Sequence, residues 1–202
     1  QALSVFRDGF TRQAAQEVTK SSIRALRSFV NKSLLSRTST GRYEIHELLR
    51  QYAAEKLDQN PAAYEAARDE HSAFYCTFLQ QWEIELKSAR RLTALMEIRT
   101  ESENARAAWN WAIAHGQTER MEQGLESLGN FFDWGGRYQE GEEVLRMATE
   151  KIAAPKTAGQ QRLLVKALIW QANFNRELGQ TELAMQLSRQ SLDLLDSPLL
   201  FD

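Results

Sequence analysis

The sequence predicts a mainly α protein: a small helical domain carrying one β-hairpin over residues 1–58, then a solenoid of helical hairpins over residues 64–202. Three observations predict it. Apolar residues recur at three- and four-residue steps along most of the chain, as they do in helices with one buried face. A single short stretch around Gly41 alternates instead, in the manner of a two-stranded hairpin. Glycine-centred breaks, HGQTE, GGRYQ and LGQTE, recur between the helical stretches. With 202 residues, 43% hydrophobic and 26% charged, the chain can bury a core in one large or two small domains.

In the first part, Thr11 is a good N-cap for a helix from Arg12 to about Val18. Ser21 or Ser22 can cap a second helix, in which Ile23, Leu26, Phe29 and Val30 share one face and Arg24, Arg27 and Ser28 point outward; Asn31 and Lys32 close it. Ser33–Thr38 and Arg42–Ile45 read as the strands of a hairpin, with Gly41 supplying the positive φ of the turn. Glu47–Leu57 returns to helix, its expected buried stripe being Leu48, Leu49, Tyr52, Ala53 and Leu57. Helix, helix, hairpin, helix is the order of a winged-helix domain.

A Gln-Asn-Pro turn between Asp58 and Ala63 separates this part from the next. Tyr64–Leu86 is amphipathic through Ala67, His71, Phe74, Phe78 and Trp82, and Leu92–Ile98 and Asn104–Ala114 continue as helices. Gly116, Gly136 and Gly179, spaced by 20 and 43, can each end one helix in a left-handed conformation before the next begins. Leu163, Ala167, Trp170, Phe174 and Leu178 form a stripe that faces another through Leu183, Leu187, Ser191 and Leu194. Gly136, Tyr138 and Gly141 resemble the turn of a tetratricopeptide repeat, as do Gly179 and Ala184, with Thr181 in place of the tyrosine. The surplus over the usual repeat of about 34 residues falls in the loop Ala153–Gln160, and the last helix is expected to end at Asp196, Ser197 and Pro198. The array is thus tetratricopeptide-like and degenerate, and the apolar SPLLF suggests that it continues beyond Asp202.

Charge and composition narrow the function. No apolar run approaches the roughly 20 residues of a membrane helix, and no signal-peptide pattern opens the chain. One cysteine, Cys76, cannot form an internal disulfide, so a cytoplasmic protein without a membrane partner is expected. Residues 1–57 carry 10 Lys/Arg against 5 Asp/Glu, while the remainder carries 15 against 22. The basic first part can face nucleic acid, a bound nucleotide or an acidic neighbour. No catalytic residues are expected. His46, His71 and His115 are too scattered for a metal site, and His71 and Cys76, five residues apart, do not share a helical face. A phosphate-cradling G-x-x-x-x-G-K-[ST] loop is absent from the sequence.

The runs LSVFRDGFTRQAAQEV, LRSFVNKSLLSR and GRYEIHELLRQYAAEKL resemble the winged-helix segment that follows the nucleotide-binding core of STAND (NB-ARC-like) signal-transduction ATPases. That family includes bacterial transcriptional regulators of the AfsR and MalT type. IHELL, Ile45 to Leu49, is similar to its Met-His-Asp-Leu-Leu motif, with departures at the first and third positions. For His46 the resemblance implies a contact with the terminal phosphate of bound ADP that holds the ATPase at rest. Read from the residues alone, His46 either caps the helix that follows, packs on the hairpin, or donates to an anion at the helix N-terminus. With no P-loop, the chain reads as a piece beginning at or just after a nucleotide-binding domain: no cofactor for this fragment, ADP/ATP for the full-length parent.

The expected function is that of a non-catalytic regulatory fragment of a bacterial STAND-type transcriptional regulator, a winged-helix switch joined to a repeat arm. Its expected partners are the nucleotide-binding domain of the same parent chain and a peptide, protein or small-molecule inducer on the helical repeats, with DNA bound through another domain. One alternative is direct DNA binding by the winged helix through Arg24, Arg27, Lys32, Arg37 and Arg42, assisted by Lys20. Another is a pure protein–protein interaction scaffold. Trp109, Trp111, Phe131, Phe132, Trp134 and Trp170 either line a ligand groove of the solenoid or belong to its core. Arg106 and Arg137 are expected to be solvated or paired with Glu103 and Glu140.

Overall fold

A computed structural model describes residues 1–196 and is mainly α, 76% helical. Among the described residues there are ten α-helices and one two-stranded antiparallel sheet. No described helix is long and apolar enough to cross a membrane. The SPLLF stretch and the expected stop at Ser197 and Pro198 lie outside the described residues. The chain divides into two compact units: Gln1–Tyr75 with Arg99–Trp111, and Cys76–Ile98 with Ala112–Asp202.

The first unit opens with a 3-10 turn, Ala2–Val5, followed by α1 (Arg12–Thr19) and α2 (Ile23–Asn31). Both helices start where a hydroxyl can take up an orphan amide: Thr11 Oγ1 accepts from Ala14 N–H at 3.1 Å and Ser22 Oγ from Ala25 N–H at 3.2 Å. The hairpin is shorter than its sequence suggests. Strands β1 (Ser36–Arg37) and β2 (Tyr43–Glu44) pair over two residues each. Ser33 adopts a left-handed φ of 57°, and the N–H groups of Leu34 and Leu35 turn back to Phe29 O, so these residues close α2 and do not extend the strand.

Helix α3 (Glu47–Asp58) corrects a second expectation. Of the stripe Leu48, Leu49, Tyr52, Ala53 and Leu57, only Leu57 is buried; Leu48 is 69% and Tyr52 60% exposed. The helix packs on the 3-10 turn through the face bearing Arg50, Ala54 and Leu57. Leu48 and Tyr52, more than a quarter-turn round the cylinder, therefore stay in water. The core of the unit is aromatic: Phe6 stacks on Phe10 at 4.5 Å between centroids, Phe10 on Tyr43 at 5.9 Å, and Phe6 meets the edges of His71 and Tyr75. Residues 61–75 of α4 (Pro61–Leu86) and 102–111 of α6 (Ser102–Ala114) complete it, with Trp109 fully buried. The seam along α4 runs through Ala67, His71 and Tyr75; the expected stripe through Phe74 is only half-buried.

The second unit contains α5 (Arg91–Thr100) up to Ile98, then α7 (Thr118–Trp134), α8 (Tyr138–Lys151), α9 (Ala158–Glu177) and α10 (Thr181–Leu195). Each of α7 to α10 packs on the next, and α7 also reaches α9. Gly116, Gly136 and Gly179 take the left-handed conformation expected of them, with φ of 64°, 63° and 77°. At each, the glycine N–H bonds three residues back and the following N–H five residues back, as in Gln117 N–H to Ala112 O at 2.9 Å. This Schellman arrangement satisfies carbonyls that the helix end would otherwise leave open.

In this unit α9 begins at Ala158, earlier than the loop Ala153–Gln160 implies, because Thr157 caps it by accepting from Gln160 N–H at 3.2 Å. Leu178 and Leu183 are partly exposed. The seam on α10 is Ala184, Leu187 and Ser191, and Leu183 lies at its edge, about 40° from Leu187 and about 100° from Ala184.

Gly141 is where the tetratricopeptide-like spacing has a steric consequence. A Cβ there would fall 2.6 Å from the Phe174 ring, itself fully buried, and 2.8 Å from Phe132 Cβ. Alanine favours a helix interior by about 1 kcal/mol over glycine, but overpacking a fixed ring costs about 1–3 kcal/mol. Gly141→Ala is therefore expected to lose about 1 kcal/mol in urea unfolding of the second unit. A variant as stable as the parent would show that Phe174 yields without cost.

Candidate functional site

His46 stands where β2 passes into α3. It is exposed and caps the helix, its Nδ1 accepting from Leu48 N–H at 3.3 Å. With Nδ1 accepting, a ring proton sits on Nε2, which makes no hydrogen bond among the described residues. The helix start already holds one carboxylate. Glu47 accepts from Arg50 Nε at 2.8 Å and Nη2 at 2.7 Å and from Gln51 Nε2 at 2.9 Å. These bonds hold its pKa down to about 2. Beside this corner lies an open cleft of about 520 Å3, bordered by Phe6, Arg7, Gly9, Glu44, Ile45, Glu47 and Arg50.

The basic residues divide. Arg24 and Arg27 on α2, Lys32 at its C-cap and Arg37 on β1 are exposed. Arg42 is not available to a phosphate. Its Nη1 donates to Glu101 and its Nη2 is sealed from solvent without a partner among the described residues, which removes it from the surface set.

Glu101 is the centre of a buried polar network in the first unit. It is 5% exposed, and it accepts from Arg42, from the Tyr75 hydroxyl at 3.1 Å and from Asn104 Nδ2 at 3.0 Å. Burial, and next the Glu101 charge, push the Tyr75 hydroxyl well above its ordinary pKa. Asn104 fills its remaining positions by donating to Gly9 O at 3.0 Å and by accepting from Arg7 N–H at 2.8 Å and from His71 Nε2 at 3.2 Å. Every bonding position of the Asn104 amide is thus used. Burial lowers the His71 pKa to about 4, against the Asn104 bond that favours the charged ring. His71 is a neutral core histidine, and Cys76 is likewise buried.

The aromatic residues are divided between the two units. Trp109 and Trp111 belong to the first unit, Phe131, Phe132, Trp134 and Trp170 to the second. Trp109 and Phe132 are buried in core packing and cannot line an open surface. Trp111 is half-buried against Tyr64, at 5.8 Å between centroids. Trp134 lies under the Arg91 guanidinium at 4.9 Å, and Trp170 packs on Phe174 at 5.8 Å. Arg106 pairs with Glu103 at 2.5 Å and Arg137 Nε with Glu140 at 2.7 Å, as their spacing predicts.

Three residues unmarked in the sequence gather in the first unit: Arg7, Arg50 and Arg68, from the segment after the 3-10 turn, from α3 and from α4. Sequence periodicity does not connect positions so far apart. Among the described residues, no three His, Cys, Asp or Glu converge to hold a metal ion. No family model, curated protein or solved structure matches the chain.

Proposed function

We propose that the chain is a non-catalytic regulatory segment of a bacterial STAND-type transcriptional regulator, in which residues 1–58 form a winged-helix switch and the helical hairpins that follow form a sensor arm. The observation that carries this reading is the position of His46, exposed at the N-cap of α3 immediately after the hairpin, with an Nε2 donor free for an anion. The order of α1, α2, hairpin and α3 supports a winged helix, and the three glycine-ended helices support a repeat arm. In this reading a nucleotide-binding domain of the parent protein holds ADP against His46, and a peptide, protein or small-molecule inducer on the arm pulls the switch away. In the parent protein, His46→Ala is expected to speed ADP release at least tenfold and to raise basal transcription. Unchanged ADP retention would remove the sensor role.

A second reading, DNA binding by the same unit, is favoured by the exposure of Arg24, Arg27, Lys32 and Arg37. It requires binding to duplex DNA that weakens steeply with salt. A flat, weak response in a shift assay leaves the switch reading in place.

A further inference from the structure

The first unit has a second cleft, of about 370 Å3, bordered by Arg7, Arg50, Arg68, Tyr64, Glu55 and Asp58. Three guanidiniums meet there with few internal acceptors. Arg50 is held by Glu47 through Nε and Nη2, and its Nη1 donates to Ser4 O at 3.5 Å. The Arg7 side chain makes no hydrogen bond or ion pair among the described residues, although its backbone N–H is fixed on Asn104. The Arg68 guanidinium is placed 5.4 Å from the Tyr64 ring centroid, and its Nε is sealed from solvent with no acceptor. Glu55 and Asp58 are exposed at the edge and pair with none of the three among the described residues. Burial, then the like charges of Arg50 and Arg68, lower the Arg7 pKa below its ordinary value.

Three like charges around one opening, of which Glu47 offsets only that of Arg50, are unfavourable, and one oxyanion held by Arg7 and Arg68 relieves them. We propose that this cleft binds the phosphate group of a small free ligand. Phosphate fits better than carboxylate, because the Arg7 and Arg68 guanidiniums, converging from two chain segments, need acceptors in more than the one plane a carboxylate offers. The volume is near the lower end for small-molecule sites, about 300–1,000 Å3. Neither His46 nor a nucleotide-binding domain takes part, so the site stands or falls independently of the switch reading.

The test is calorimetric titration of the 202-residue chain with inorganic pyrophosphate at fixed ionic strength. Saturable one-site binding is expected, weakened about tenfold or more by Arg7→Gln and by Arg68→Gln, as loss of a charge-assisted bond implies. Arg24→Gln, an exposed cation on α2, is expected to bind as the parent does. In phosphate-free buffer, Arg7→Gln and Arg68→Gln are expected to melt no lower than the parent, since each removes an unpaired donor or a like-charge contact. Pyrophosphate is expected to raise the parent's melting temperature and leave theirs unchanged. Absent saturation, equal weakening by Arg24→Gln, melting of both cleft variants well below the parent, or binding of a phosphoserine peptide but not of pyrophosphate would each overturn the proposal.

Discussion

Glu101→Ala is expected to destabilise the first unit by about 3–5 kcal/mol, the range for removing one partner of a buried ion pair. The reason is what it leaves behind. Arg42, with Nη2 already lacking an acceptor, loses the only carboxylate its Nη1 meets, and the Tyr75 hydroxyl and one Asn104 Nδ2 hydrogen lose theirs. Leaving each neutral donor unsatisfied costs about 1–3 kcal/mol, and a charged one more. Glu101→Gln keeps the shape and one acceptor, but brings an NH2 group against donors, so an intermediate loss is expected. Urea unfolding followed by tryptophan fluorescence measures both, since Trp109 and Trp111 report on this unit. A loss below about 1 kcal/mol for the alanine variant would mean that water enters and replaces the carboxylate.

His71 makes the same unit acid-sensitive. Its folded pKa of about 4 lies below the ordinary 6.5, so folding favours the neutral ring. The stabilisation is complete above pH 6.5, where both states are neutral, and is lost as the pH falls through 6.5 toward 4 and the unfolded chain takes up the proton first. At about 1.4 kcal/mol per pKa unit the loss amounts to at most about 3 kcal/mol by pH 4. The groups around the ring act together: Asn104 accepts from Nε2, Phe6 and Tyr75 enclose it, and Arg68 and Arg7 repel a positive charge. Glu47, held near 2 against an ordinary 4.5, adds its own acid sensitivity as the pH falls through 4.5 toward 2, in parent and variant alike. His71→Gln retains a donor for Asn104 and does not titrate. The difference in stability between parent and variant is therefore expected to change between pH 7 and pH 4. Parallel curves would show that the ring reaches solvent.

What could be read from the sequence was local. The caps at Thr11 and Ser22 are legible because a hydroxyl before an apolar period has one main use there. The three glycine-ended helices are legible because few residues other than glycine accept that φ readily. Gly141 is legible only as a small residue at tetratricopeptide-like spacing; the Phe174 ring and Phe132 Cβ that require it show in the folded chain alone. The buried face of α3 is not legible because both sides of that helix carry apolar residues; periodicity gives a face but not what stands before it. The burial of Arg42 is hidden from the sequence for a different reason. On a hairpin beside other cations it looks like a phosphate contact, and its partner Glu101 lies 59 positions away. The Arg7, Arg50 and Arg68 group escapes pattern reading in the same way, since only the folded chain places them around one cleft.

The reach of Asn104 has a kinetic consequence. It joins Arg7 N–H and Gly9 O across 97 and 95 positions. During synthesis at about 5–20 residues per second, the N-terminal helices and the hairpin leave the ribosome several seconds before α6 does. They wait through that interval with Phe6, Phe10 and Tyr43 lacking part of their cover, a nascent state in which chaperone engagement and misassociation compete with folding. The first unit is thus closed from its far end, and premature termination before residue 104 is expected to yield a chain that is degraded rather than one that folds as a smaller domain.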